Sequence, residues 1–439
     1  CSSYYFKTYN AEHCLNSNNF KMKLIQSFGN IYKCRSCSSK RIVDKFNLGH
    51  QCFGGIFPSS RKQKVPSGPL YLVKCSNCHL IQLKHNFNRK KMFGSNYGYR
   101  SGINKSMQNH LKYVLKDALN FVSLRRNDAV IDIGSNDGTL LRFFQQRSMN
   151  VLGVEPATHI AAQATAAGIM SIDKFFTPDL AKQMVNEHGH AKLITANNVF
   201  ANIDDLTSCV NGISELLADG GVFVCESYYL ADIVQNMVFD FIYHEHLTSF
   251  SIRPMQTMFQ RVGLELVAVE RVSTKGGSLR YFLQRSGGLL TKDGSVIKML
   301  ALEENMGLYR KETFVTYADK INELKEQTKN FLAKAKSEGK SIAGFGASIT
   351  GTTLIYHFEI GDYLDYLVDD NQAKQGRFSP GLHLPVLSSS VLCERKPDYV
   401  IILAWRFAET IISKNQAYFE GGGQFLIPVP GFNLITEVG

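Results

Sequence analysis

The sequence predicts an α/β protein of several domains: a small metal-binding unit near the N-terminal end, a central doubly wound sheet, and a second α/β unit at the C-terminal end. Three observations predict it. Cysteines form two close pairs, Cys34-Arg-Ser-Cys37 and Cys75-Ser-Asn-Cys78, and strand–glycine turn–helix patterns begin at Ala129 and again at Ser341. At 439 residues with 44% hydrophobic content, the chain has room for about three cores at roughly 150 residues per domain. The expected division is 1–29 as a leader or fragment edge with Met22 as a candidate start, 30–95 metal-binding, 96–285 central, 286–335 a helical connector and 336–439 C-terminal.

The N-terminal element is also the basic one. Residues 1–126 hold 22 Lys and Arg against 3 Asp and Glu, a net +19 within an overall +11, which points to a polyanionic partner, either nucleic acid or a phosphate-bearing substrate. Two C-x-x-C turns separated by 37 residues let each loop aim two thiolates at one tetrahedral ion, so Cys34, Cys37, Cys75 and Cys78 are expected to hold a structural Zn2+ with no open coordination position. Cys1 to Lys23 lack the apolar centre of a signal peptide, so disulfides are not expected and a cytoplasmic location is. No run approaches the ~20 apolar residues of a membrane span.

In the central element, a helical pattern from Asn104 to Val122 precedes Ala129-Val-Ile-Asp132-Ile-Gly134, a buried strand that ends in the turn Gly134-Ser135-Asn136-Asp-Gly138 and opens into Thr139-Leu-Leu-Arg-Phe-Phe. Val151-Leu-Gly-Val-Glu155-Pro156 reads as the next strand, ending in an acid suited to ribose hydroxyls. A dinucleotide fingerprint needs a middle glycine so that backbone approaches a pyrophosphate; here Ser135, Asn136 and Asp137 fill that slot. The loop suits a ligand without phosphates, and S-adenosylmethionine is the expected cofactor, with a dinucleotide as the rival. Ala191 to Asn197-Asn198 and Gly220 to Glu226 continue the alternation, with polar strand ends expected to face the cofactor crevice.

Farther on, Tyr243-His244-Glu245-His246 interrupts an apolar, aromatic segment running from Met237 to Phe250. Buried titratable groups of this density are paired or used for proton chemistry. A helical zinc motif needs histidines one turn apart, whereas H-E-H spacing aligns both imidazoles only on an extended strand, so a second metal is not expected here.

The ordered set of the two cysteine pairs, Tyr97-Gly-Tyr99-Arg-Ser-Gly, Val130-Ile-Asp-Ile-Gly-Ser-Asn-Asp-Gly138, Asn197-Asn-Val-Phe-Ala, Tyr243-His-Glu-His-Leu, Gly276-Gly-Ser-Leu-Arg280 and Gly344-Phe-Gly-Ala resembles the three-domain, zinc-containing sugar C-methyltransferases. The resemblance covers nearly the whole chain from about residue 30. It implies a class I methyltransferase domain of Rossmann-like form followed by a second Rossmann-like domain, and methylation of a ring carbon of a nucleotide-diphosphate 4-keto-deoxysugar. It implies His246 as the base that removes the proton alpha to the ketone, Glu245 orienting or tuning it, and Tyr243 with Tyr97 or Tyr99 on the sugar oxygens. His244 is expected to be structural. The family commonly has a histidine where this chain has Asn202, and an amide cannot take that proton near neutral pH, so Asn202 bears on the substrate rather than on the reaction class.

The helical pattern Ala318 to Ala335 leads into the last α/β unit, whose glycine order, G-x-G-x-x-x-x-G from Gly344 to Gly351, departs from a dinucleotide site. The resemblance implies that this unit is scaffold closing over the substrate nucleotide, with Lys374-Gln-Gly376 and Pro380-Gly381 matching the family pattern. A monomer is expected. The competing class is a zinc-containing nucleic-acid-binding protein or RNA methyltransferase, suggested by the basic lobe and the aromatics Tyr97 and Tyr99, and opposed by the lack of a recognisable base-stacking module.

Overall fold

The structure, a computed structural model, describes residues 28–92, 100–103 and 105–436. Tyr97 and Tyr99 lie outside the described residues, as do residues 1–27 of the expected leader; Phe28–Asn30 is already a strand, paired antiparallel with His85–Phe87.

The N-terminal unit is built on the antiparallel pair Ile42–Cys52 and Ser67–Cys75, extended by Ile81–Leu83. Register decides its chemistry. Ile42 lies opposite Cys75, so the turn Cys34–Cys37, just ahead of Ile42, and the turn Cys75–Cys78 meet at one end of the sheet. The fourth strand of this sheet, Thr248–Ser249, comes from the central part of the chain and pairs with Ile81 and Gln82.

The central sheet has seven strands: Ala129–Ile133, Asn150–Val154, Ser171–Ile172, Ala191–Asn197, Leu217–Tyr228, Leu264–Val272 and Ser278–Arg285. Numbered in that order they lie 3-2-1-4-5-7-6, and the seventh is antiparallel to both its neighbours. Alternation of side chains divides the strands between two cores. Val130, Leu193, Val222 and Phe282 pack with the helices Lys105–Ala118 and Thr139–Gln145, whereas Ile131, Ile194 and Phe223 belong to the other face. Strand order reverses between the first and fourth strands, where open α/β sheets bind ligands at the carboxyl edge.

The last unit has six strands, lying in the order 3-2-1-4-5-6 when numbered along this unit, all parallel except the final one. Lys311–Ser337 packs on the inner side of this unit through Ile321, Leu324, Leu332 and Ala335. It begins earlier than the apolar pattern from Ala318 indicates because Phe314 and Tyr317 bury another turn, with Tyr317 5.8 Å from Phe46 of the N-terminal sheet. A single core runs through all three parts: Phe239 stacks on Phe358 at 5.3 Å, and Asp240 accepts from Trp405 Nε1 (3.1 Å) and Arg406 Nη1 (2.8 Å). Segment 374–381 serves this docking, with Phe378 N–H on Pro58 O (2.9 Å) and Arg377 Nη1 on Phe57 O (3.3 Å).

Candidate active site and zinc centre

The four cysteine sulfurs lie within 4.8 Å of one another, with Cys34 Sγ to Cys78 Sγ 3.6 Å and Cys37 Sγ to Cys75 Sγ 3.4 Å. Four thiolates about 2.3 Å from a tetrahedral Zn2+ stand roughly 3.8 Å apart, so the donor set fits the ion. Each turn is followed by a left-handed residue, Ser38 (φ 57°) and His79 (φ 64°), and Asn77 N–H points at Cys75 Sγ at 3.4 Å. The first turn also carries Arg35, almost fully buried, which donates to Asp204 Oδ1 (2.9 Å), Leu83 O (2.5 Å) and His85 O (2.8 Å). The metal end of the N-terminal unit is thereby bolted to the segment that follows Asn202.

At the carboxyl edge of the central sheet, the expected glycine turn is present with Gly134, Asn136 and Gly138 all at positive φ. Glu155 closes it: its carboxylate accepts from Asn136 N (3.0 Å) and Ala157 N (2.9 Å), so it organises the loop between the first strand and Pro156 as well as facing the edge. Asp132 lies under the loop and accepts from Thr195 Oγ1 at 2.6 Å; burial pushes its carboxyl up to about 7. Ser101 N and Gly102 N donate to Asn136 Oδ1 and Asp137 Oδ2 (2.9 and 2.7 Å), fixing the preceding segment on the loop. Several buried polar atoms at this edge have no partner: Ser135 Oγ, both amide atoms of Asn197, Asn198 Oδ1 and Asn202 Oδ1. Buried polar groups are normally satisfied, so this set fits a polar ligand in the crevice.

Glu226 departs from expectation. Rather than opening to the crevice, its carboxylate is enclosed by His110 Nε2 (2.7 Å) and by Arg280 Nε and Nη2 (3.1 and 2.7 Å). Burial alone raises a carboxyl, yet these donors keep Glu226 below its usual range. Arg280 also pairs with Asp117 of the helix Lys105–Ala118, so the acid serves the framework.

The Tyr243–His246 segment is a turn, not a strand, closed by His246 N–H on Tyr243 O at 2.9 Å. Its exit is clamped from both sides: Leu247 N donates to Ala201 O (2.7 Å) and Leu247 O accepts from Leu83 N (2.8 Å). In this turn the two imidazoles diverge. His244 goes to the N-terminal unit, bonded to Gly68 O at 3.0 Å and packed on Phe53 and Phe87. His246 stays with the central domain, packed on Tyr228. Its Nδ1 must donate to Phe241 O (2.8 Å), which leaves Nε2 as acceptor for the Tyr243 hydroxyl at 2.8 Å. Burial, with Lys275 nearby, pushes His246 down to about 3, so the imidazole is neutral near pH 7.

This geometry supplies partners that the expected roles did not name: Phe241 O, rather than Glu245, bonds His246 Nδ1, and the Tyr243 hydroxyl donates to His246 Nε2. Glu245 instead faces Gly55 of the N-terminal unit, where a Cβ would meet Oε1 at 3.2 Å, and burial pushes its carboxyl up to about 7. Sequence reading also passed over Lys275, directly ahead of Gly276-Gly277, whose charge reaches both Glu245 and His246; a large residue before two glycines at a hairpin end was the available signal.

Comparison with known proteins gives three successive family matches: a zinc binding domain over residues 34–93, a methyltransferase domain over 107–269 and a C-methyltransferase C-terminal domain over 273–430. The C-methyltransferase NovU of Streptomyces niveus is 32% identical over 409 residues, spanning 92% of this chain and 97% of that protein. The chain belongs to this C-methyltransferase family. Among solved structures, an S-adenosylmethionine-dependent methyltransferase from Clostridium acetobutylicum ATCC 824 aligns over 40% of this chain and 91% of its own at 15% identity and a TM-score of 0.32. The magnesium protoporphyrin IX methyltransferase ChlM of Synechocystis PCC 6803, solved with bound SAM, aligns over 41% and 79% at 12% identity and a TM-score of 0.31. As a member of the family, the chain is an S-adenosylmethionine-dependent C-methyltransferase with a four-cysteine zinc centre. No helix among the described residues is long and apolar enough to cross a membrane.

Proposed function

We propose that the chain methylates the carbon alpha to the ketone of a nucleotide-diphosphate keto-deoxysugar, in the 4-keto series at C-3. One observation carries this reading: the Tyr243–His246 unit, a buried neutral imidazole with its tautomer fixed by Phe241 O and its accepting nitrogen on a phenol. S-adenosylmethionine supplies an electrophilic methyl group when bound. A carbon nucleophile to meet it requires loss of a proton next to a carbonyl. His246 is the base. As the Tyr243 oxygen takes the carbon-bound proton, its own hydrogen passes to His246 Nε2, and the C–H electron pair becomes the enolate double bond.

The partnerless buried atoms of Ser135, Asn197 and Asn198 support a cofactor lying along Gly134–Gly138, above Asp132, with Glu155 and Pro156 beside the ribose. Tyr97 or Tyr99 is assigned to the sugar oxygens, and Asn202 to a polar contact on the sugar in place of an acid–base role. The C-terminal unit is assigned to the nucleotide, and the basic N-terminal lobe, net +19 over residues 1–126, to attraction of the diphosphate. Incubation with isotopically labelled S-adenosylmethionine and a panel of nucleotide-linked keto-deoxysugars, followed by mass analysis, tests this. Transfer of one labelled methyl to a carbon of one of them is expected. Salt-sensitive RNA binding, with no keto-sugar nucleotide bound or methylated, would overturn it in favour of the nucleic-acid reading.

A further inference from the structure

Lys275 occupies a costly conformation. It lies in the short turn Thr274–Gly276 between the sixth and seventh strands of the central sheet, at φ 58° and ψ 27°, a left-handed setting uncommon for a side-chain-bearing residue. The turn is over-determined from several sides. Gly277 N–H donates to Thr274 O (3.0 Å) and Gly277 O accepts from Tyr229 N (3.1 Å). Asn236 Nδ2 donates to Gly276 O (3.2 Å), and Thr274 Oγ1 reaches Glu226 Oε1 (3.4 Å). A Cβ on Gly277 would collide with Asp232. Strain held this firmly gathers at functional positions.

The side chain so presented is a partly buried cation with no hydrogen bond or ion pair to any described residue. The charged and titratable groups facing it are Glu226, Glu245 and His246. Glu226 is already enclosed by His110 and Arg280, and Glu245, driven toward its neutral form by burial, makes no contact with the ammonium. A cation this enclosed is normally paired; this one keeps its donors free on a turn whose Thr274 shares Glu226 Oε1 with Asn198 of the crevice edge.

We propose that Lys275 is a catalytic residue that donates a hydrogen bond to the substrate's carbonyl oxygen as it becomes an enolate. The proposal rests on the keto-sugar reading above. As the Tyr243–His246 unit takes the alpha proton, the C–H pair forms the carbon–carbon double bond and the carbonyl π pair moves to oxygen, facing the ammonium. When the new carbon–carbon bond to the methyl group forms and the sulfur–methyl bond breaks, that pair returns to the carbonyl and the positive charge at Lys275 is again unpaired.

Lys275→Met and Lys275→Arg test it, read by solvent-deuterium exchange at the alpha carbon with S-adenosylhomocysteine present, by kcat and KM, and by melting without ligand. The Met variant should lose exchange and kcat by about 10²–10³-fold, as for removal of one oxyanion donor, with KM little changed; Arg should recover part. Without ligand, the Met variant should melt higher than wild type, since an uncompensated cation is removed. Unchanged exchange, or a raised KM with kcat kept, which marks a phosphate contact, would overturn the proposal. If wild type exchanges none of the keto-sugar nucleotides, the substrate reading falls on its own, and a lower melting temperature in the Met variant would then overturn the role of Lys275 as a held, unpaired cation.

Discussion

Asp132, buried beneath the glycine loop, is held near neutrality by desolvation, its carboxyl lying at about 7 against an ordinary 3.8. A carboxyl raised in the folded state stabilises below its unfolded pKa, and that contribution is lost as pH rises from about 4 through 7, to a limit of about 4 kcal/mol. Asp132→Asn keeps an oxygen for Thr195 and removes the titration. Its melting temperature should therefore gain on wild type's between pH 4 and pH 8, and a constant difference would mean that Asp132 is ionised in the fold. Tyr243 and His246 are expected to act as one unit. Tyr243→Phe and His246→Ala should each slow alpha-proton exchange by about 10²–10⁴-fold, and the double variant should be no slower than the worse single one; additive losses would separate them. Glu245 titrates near 7, so an inflection in exchange rate near that pH should vanish in Glu245→Gln, while complete loss of exchange would make Glu245 the base. Residue types were legible at this scale because buried acids and imidazoles are rare by composition. Pairings were not: whether Glu245 or Phe241 O orients His246 depends on the segment being a turn, and that is imposed by Leu247 bonding Ala201 and Leu83, contacts far away in sequence.

Strands and glycine turns could be read directly, since Val130, Ile131 and their counterparts divide between two cores with the period of a strand. The acid closing the fifth strand misled, because a strand end looks the same whether its carboxylate meets a ligand or an arginine from a distant hairpin. Glu226, Arg280 and Asp117 tie two strands to the helix Lys105–Ala118. Arg280→Met, which strands the carboxylates of Glu226, Asp117 and Glu270 around a fully buried position, should cost about 3–5 kcal/mol, with part recovered by adding Glu226→Gln. Chemical denaturation would read both, and an Arg280→Met variant of wild-type stability would dismiss the network as a framework.

Across the whole molecule, the docking of the three parts was the least legible feature, since it rests on side chains such as Phe46, Tyr317 and Phe358 that read as ordinary core in sequence. The zinc centre illustrates the result. Arg35, inside its first turn, holds Asp204, and the sheet beside it is completed by Thr248–Ser249, next to His246. Stripping zinc with a chelator, or Cys75→Ser, should therefore reduce methyl transfer by more than about tenfold while S-adenosylhomocysteine affinity in calorimetry stays within a few-fold; parallel losses would show that the metal supports the cofactor domain directly. The closeness of Gly54 and Gly55 to Ile349 and Glu245 has a different meaning for how the protein evolves. Glycine is the residue that fits where parts from the beginning, middle and end of the chain converge, so none of the three units can be exchanged for a relative's without renegotiating that point. Shuffled chimeras should inherit cofactor binding from their middle third alone, and turnover only when all three come from the same parent.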